Sequence, residues 1–315
     1  MVSSRSGVSL KRANCPVVLA CDKSFAMPLA TALKSMVDAN RNSWPLETHL
    51  LVDGCSRSLR QKISDSLPKE SASIRWVDVD LDSLRGFRTT AEIPAAAYAR
   101  LLMPRIFTDN VRRVLYLDAD VLVLDDLRPL CNMDLEGAVL GAVLDRLDPK
   151  LKRGMPGLEA TPHVADYFNS GVLLIDLDRW RKERISERAF DYLTQHPRQM
   201  FPDQDALNFA CDGLWKKLDP RWNFQGHYET NLSDLPPEQR PGIIHFATSR
   251  KPWDPSTHHP NAGFYDAFRS RTRFARTAPE KLWDSAKGGW SSLKGALKRR
   301  TFVQIIRSRV ASHEQ

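Results

Sequence analysis

Short apolar runs of buried-strand length alternate along this chain with segments of helical spacing. PVVLAC at 16–21, THLLVD at 48–53, SIRWVDV at 73–79, VLYL ahead of Asp118, GAVLGAVLD at 137–145, FNSGVLLIDL at 168–177 and GIIHF at 242–246 supply the runs. Between the first two, Leu29, Leu33, Met36 and Val37 recur at three and four residues, and SRSLRQKISDSL follows with a polar helical pattern. AAYARLLMPRIF at 96–107 reads as helical despite Pro104, DRWRKERISERAFDYLTQH as one long helix, and DQDALNFAC as the opening of another. Strands fed by helices in this order predict an α/β fold with a mostly parallel central sheet covered on both faces.

With 315 residues, 42% of them apolar, the chain has material for a sizeable core. Its net charge of +8 is unevenly placed: residues 269–315 hold twelve Lys or Arg against Glu280, Asp284 and Glu314, which leaves the rest nearly neutral. The expected division is a short extension at 1–15, a folded domain at 16–268 and a basic aromatic tail at 269–315. No run reaches the roughly 18 apolar residues of a membrane-spanning helix, and the start carries no apolar segment of the signal-peptide kind. Cys15, Cys21, Cys55, Cys131 and Cys211 are odd in number and scattered through apolar runs, as reduced core thiols of a cytoplasmic protein would be.

The run VLYLDADVLVL at 114–124 holds two carboxylates inside an otherwise apolar segment. Removing a bare carboxylate from water costs several kcal/mol, and two side by side also repel, so a shared cation is the economical explanation. Asp-x-Asp spacing also occurs at Asp78/Asp80, Asp80/Asp82, Asp176/Asp178 and Asp203/Asp205. Only Asp118/Asp120 has strand-like residues on both sides; Asp78 to Asp82 read as a strand end entering solvent, and Asp178 as a helix cap. Ligands of open α/β sheets collect beyond the carboxyl ends of the strands, where Asp22, Asp118, Asp120, Asp145, Asn169 and His245 are expected. Acids plus one imidazole suit Mn²⁺ or Mg²⁺ better than structural zinc. The chain lacks a phosphate-cradling glycine loop, so the metal and Lys or Arg side chains must neutralise any diphosphate.

These motifs, taken in order, resemble glycosyltransferase family eight, the retaining family of bacterial lipopolysaccharide galactosyl- and glucosyltransferases and glycogenin. VLYLDADVLVLDDLRPL is similar to its metal motif, YFNSGVLLIDLDRWR to its acceptor-side strand and helix, FPDQDALN to its Asp-Gln-Asp segment, and HFATSRKPW to its closing His-x-x-Gly-x-x-Lys-Pro-Trp. The resemblance runs from about Pro16 to Trp253 and implies a GT-A fold, a UDP-galactose or UDP-glucose donor, and Mn²⁺ held by Asp118, Asp120 and His245. It also implies donor contacts from Asp22, Phe25, Arg100, Ala119 and Lys251, with Asp145, Asn169, Asp203 and Gln204 around the donor sugar and reacting carbon. Gln204 is a neutral amide and a poor nucleophile, which favours same-face attack over a double displacement. Two positions depart from the pattern: ACDKSF has Ser24 and Phe25 where an amide and a tyrosine are usual, and Thr248 replaces the closing glycine.

Two rivals use the same residues differently. An apolar strand followed by Asp-x-Asp-Val-Leu also resembles the haloacid-dehalogenase phosphatases, with Asp118 as nucleophile, although no later Gly-Asp-x-x-x-Asp completes that site. A non-catalytic membrane protein would use only the tail, where Trp290, Leu293 and Leu297 form one apolar stripe and Phe302, Val303, Ile306 and Val310 another. That tail suits two short interfacial helices on anionic lipid and no nucleic acid. The expected location is peripheral, on the cytoplasmic face of the inner membrane, with a glycan or glycolipid acceptor.

Overall fold

The computed structural model describes residues 15–79, 95–107 and 110–277, together with residue 280; the tail stripes and the stretch 80–94 lie outside them. Strands β1 (Val17–Asp22), β2 (Leu46–Asp53), β3 (Ala72–Asp78), β4 (Arg113–Asp118), β6 (Leu140–Leu144), β7 (Phe168–Asp176) and β8 (Trp215–Lys217) form one sheet in the order β3-β2-β1-β4-β7-β6-β8. A second, two-stranded sheet pairs β5 (Val121–Val123) with β9 (Ile243–His245).

Alternate residues of the central strands enter opposite cores, as a sheet covered on both faces requires. Val18, Val114 and Tyr116 join Tyr98, Leu101, Trp180 and Leu207 on one side. Leu19, Leu50, Leu115 and Leu117 join Leu29, Leu33, Met36 and Val37 of helix α1 (Ala26–Ala39) on the other. The helical periodicity of α1 therefore lies against the sheet, with Leu29, Leu33 and Val37 fully buried. Each such side chain contributes about 1.5–3 kcal/mol.

Helix α2 (Arg57–Ser64) starts at Ser56, whose hydroxyl accepts the Leu59 N–H at 3.2 Å. Three short helices follow, α3 (Met103–Ile106), α4 (Arg128–Cys131) and α5 (Asp148–Lys152), then α6 (Leu177–Lys182), α7 (Ile185–Gln195), α8 (Pro202–Ala210) and α9 (Ala262–Arg269). The helical reading of 96–107 holds as a 3-10 helix at 95–102 followed by α3, with Pro104 in the first turn of α3. The single helix expected after Leu177 is two helices, because Arg184 adopts a left-handed φ of 53°. The break lets Trp180 and Ile185 both enter the core, where Trp180 Nε1 donates to Ser186 Oγ at 2.9 Å. Asp176, rather than Asp178, caps α6 by accepting the Arg179 N–H. All five cysteines are free thiols, and no helix among the described residues is long and apolar enough to cross a membrane.

One strand departs from the parallel expectation. β4 runs parallel to β1 but antiparallel to β7, and β7 is also antiparallel to β6. Asn169 therefore stands at the start of a reversed strand, not at a carboxyl end. The register Leu117↔Val172 brings that start beside Asp118.

Candidate active site

Strand β4 ends at Asp118, and one turn later the chain re-enters extended structure as β5. β9 pairs antiparallel with β5, His245 opposite Val121, and the Phe246 N–H donates to the Asp120 carbonyl at 3.0 Å. This pairing joins residues far apart in the chain. It sets His245 Nε2 at 3.3 Å from Asp120 Oδ1 and 3.7 Å from Asp118 Oδ2.

Each carboxylate gives its other oxygen to a cation. Asp118 Oδ1 accepts from Arg100 at 2.7 Å and from the Tyr116 hydroxyl at 2.8 Å. Asp120 Oδ2 accepts from Lys251 Nζ at 2.6 Å. Burial alone would raise the Asp120 carboxyl, but Lys251 and His245 hold it well below the usual carboxylate range. Arg100 is likewise buried, and Asp118 with Asp203 at 3.2 Å raises it above its ordinary value despite desolvation. Asp203 is pushed up by burial, with Arg100 opposing.

The inward-facing atoms of Asp118, Asp120 and His245 all lie within 4.8 Å of one another. His245 Nδ1 meets Asn223 Oδ1 at 3.0 Å; an amide oxygen accepts only, so Nδ1 carries a proton, and in the neutral ring Nε2 is the nitrogen free to act as a metal ligand. Two carboxylate oxygens and one imidazole nitrogen gathered this closely fit a divalent cation of the Mn²⁺ or Mg²⁺ kind.

This cluster opens into a cavity of about 720 Å³ lined also by Arg100, Asp145, Asn169, Asp203, Gln204 and Lys251. Asp145 Oδ2 accepts from Asn169 Nδ2 at 2.9 Å and Gln204 Nε2 at 3.1 Å, and Gln204 Oε1 accepts the Ser170 N–H at 3.0 Å. Helix α8 is tied to β7 by Asn208, which bridges the backbone of Phe168, and by Asp205, which accepts from the Tyr167 hydroxyl and the Phe201 N–H. Three expected site residues are not on the cavity wall. Asp22 Oδ1 caps the turn after β1 through Ser24 and Phe25 N–H, Phe25 packs edge-on to Trp253 at 6.2 Å, and Ala119 is buried in the sheet core. Thr248 does stand on the wall and is exposed.

The sequence reading missed four supporting residues. Tyr116 and Ser170 hold Arg100 and the carboxylates; the Ser170 hydroxyl accepts from Arg100 NH1 at 2.8 Å. A Cβ at Gly171 would lie 2.1 Å from His245 Cε1 and 2.8 Å from Asp118 Oδ2, so only glycine admits the imidazole. Its signal was a glycine inside an apolar strand. Asn223 had none.

An α/β sheet of this topology with an Asp-x-Asp turn and an imidazole at its rim defines a glycosyltransferase of the GT-A fold. The chain belongs to glycosyl transferase family 8, which it matches over residues 16–257. It is 27% identical over 272 residues to general stress protein A of Bacillus subtilis, covering 82% of this chain and 94% of that one. It is 26% identical to the lipopolysaccharide 1,2-glucosyltransferase of Escherichia coli K12, covering 79% and 75%. The crystal structure of the galactosyltransferase LgtC in complex with donor and acceptor sugar analogues superimposes with a TM-score of 0.70 at 28% identity, covering 84% of this chain and 98% of that one. The phosphatase and non-catalytic readings give way to this membership.

Proposed function

We propose that this glycosyltransferase moves a hexose, galactose or glucose, from a UDP-sugar to a lipopolysaccharide or similar cell-surface glycan, with Mn²⁺ as cofactor and with retention. The observation that carries the proposal is the convergence of Asp118, Asp120 and His245 on a cavity lined also by Asp145, Asn169, Asp203 and Gln204. Asp118, Asp120 and His245 would hold the metal. A divalent cation supplies Lewis-acid stabilisation of the diphosphate as UDP departs.

The chain's own groups account for the remainder. Lys251 gives two of its three N–H donors to Asp120 Oδ2 and the Phe246 carbonyl and keeps a third for phosphate. Arg100 holds Asp118 and Asp203 in register, so the metal side and the sugar side of the cavity share one rigid cation. The amide of Gln204 is held at both ends, and a held neutral amide orients a substrate rather than attacking it. Retention then proceeds by same-face attack, the acceptor proton passing to the departing phosphate. Asp22, Phe25 and Ala119, which stand off the wall of that cavity, would meet the nucleoside where it projects beyond it.

The lipopolysaccharide acceptor is supported by the Escherichia coli relative's activity, and the positive charge gathered beyond residue 268 supports attachment to anionic lipid on the cytoplasmic face of the membrane. The test is hydrolysis of UDP-glucose and UDP-galactose without acceptor. Turnover with Mn²⁺ that stops with chelator is expected; equal turnover in both conditions would reject the metal assignment. Deleting residues 270–315 should move the protein from anionic vesicles to the supernatant, and unchanged sedimentation would reject the tail's role.

A further inference from the structure

Asn223 lies outside the four motifs quoted above, yet it is the link between the metal-side and sugar-side residues of the cavity. It is 1% exposed, at the end of a 3-10 turn opened by Asp219, whose side chain accepts the Arg221 N–H at 2.9 Å. The next residue is locked beside β9: the Phe224 N–H donates to the Ile243 carbonyl at 2.9 Å and the His245 N–H to the Phe224 carbonyl at 3.0 Å. The backbone thus presents the Asn223 amide between His245 and Asn169.

Bond polarity then runs one way through the group. Backbone N–H groups can only donate, so the Gly171 N–H at 3.0 Å identifies the facing atom of Asn169 as oxygen. Asn169 Nδ2 is left to face Asp145 Oδ2 at 2.9 Å. The Asn169 oxygen also receives Asn223 Nδ2 at 2.9 Å, which turns Asn223 Oδ1 toward His245 Nδ1 at 3.0 Å. An imidazole facing an amide oxygen must carry a proton on that nitrogen, so in the neutral ring, the form that binds a metal, Nε2 is the bare nitrogen facing Asp118 and Asp120. A backbone amide of β7 and a carboxylate on the sugar side together select the tautomer at the metal side.

We propose that Asn223 is a positioning residue that fixes His245 as the Nδ1–H tautomer for metal binding and couples it to the sugar-facing pair Asn169 and Asp145. The proposal rests on the metal and donor reading above. Its two amide ends do separable work, which two substitutions in the full-length protein divide. In Asn223→Asp an oxygen still accepts from His245, but the bond to Asn169 is lost and two oxygens face each other. In Asn223→Leu both bonds go.

Mn²⁺ binding is measured without nucleotide by the electron paramagnetic resonance of free Mn²⁺, and UDP, UDP-glucose and UDP-galactose binding by calorimetry at saturating Mn²⁺. For Asn223→Leu the Mn²⁺ affinity should fall about 10–100-fold, the usual effect of removing a ligand's hydrogen-bond partner. For Asn223→Asp it should stay within about threefold of wild type, since the imidazole keeps an acceptor. UDP binding by Asn223→Asp should also persist, while both UDP-sugars bind about tenfold more weakly because the sugar-facing amide is misoriented. Unchanged Mn²⁺ affinity in Asn223→Leu, or unchanged UDP-sugar binding in Asn223→Asp, overturns the proposal. So does a parallel loss of UDP and UDP-sugar that follows the fall in Tm. If Asn223→Leu does not fold, Asn223→Asp decides alone. A wild-type protein that binds no Mn²⁺ overturns the metal reading and this proposal with it.

Discussion

Acidification from pH 7 to pH 5 sets two buried imidazoles against the buried carboxyl of Asp205. His227 and His259 are 0% and 5% exposed with rings 5.1 Å apart. Neither nitrogen of His227 nor Nε2 of His259 has a hydrogen-bond partner among the described residues. Burial, reinforced by His259, lowers His227 to about 3; burial, reinforced by Lys251, lowers His259 to about 4. In the unfolded chain both return to 6.5. Between these values the unfolded state binds more protons, so stability present at neutral pH is lost as pH falls through 6.5. The loss by pH 5 is about 2 kcal/mol for each histidine, at 1.36 kcal/mol per unit. At pH 5 both are neutral in the folded state, so the figure is set by the unfolded value.

Asp205 works in the opposite sense. Burial raises its carboxyl from 3.8 to about 7 although Tyr167 and the Phe201 N–H oppose the change. The folded state then binds more protons between those values, so its contribution is present at low pH and is lost as pH rises through 7. The step down to pH 5 restores about 2 kcal/mol by the same arithmetic. Relative to wild type, His227→Phe should therefore lose about 2 kcal/mol less on acidification and Asp205→Asn about 2 kcal/mol more. Urea unfolding of the three proteins at both pH values, without added metal, measures the differences. An equal change in all three would refute the reasoning.

Gly171→Ala places a methyl group 2.1 Å from His245 Cε1; metal-dependent UDP-sugar hydrolysis should fall at least about 100-fold with far-ultraviolet circular dichroism unchanged, because the imidazole is displaced by more than an ångström. Lys251→Met removes the cation 2.6 Å from Asp120, and calorimetry should show UDP binding weakened about tenfold or more, the loss of a charge-assisted hydrogen bond. Arg184→Gly should raise stability to urea by up to about 1 kcal/mol, since the left-handed φ of 53° between α6 and α7 penalises a side chain. A lower midpoint would mean that the Arg184 side chain contributes more than its strain costs.

Much of the candidate site was legible because its chemistry is local. Asp118 and Asp120 declared themselves by standing in an apolar strand, and Arg100, Asp145, Asn169, Asp203, Gln204, His245 and Lys251 by matching ordered motifs; the structure brings all nine to one cavity wall. Asn223 and Tyr116 had no such mark. A buried amide is informative only through its partners, and those of Asn223 come from separate strands of the fold. The break at Arg184 was equally silent, since helical spacing of apolar residues continues through it.

Periodicity and burial cost decided, from the sequence, that apolar strands would build a sheet with two covered faces and that paired acids at the end of β4 would need positive charge beside them. Those consequences follow from the transfer energies of residues near one another in the chain. Tertiary structure alone decided that β7 runs backwards, that β5 and β9 pair to deliver His245, and that Gly171 leaves room for its ring. Strand direction and register depend on which distant surfaces pack together and which loops close between them. Residues far apart in the chain acquire a common chemistry only once that packing is set.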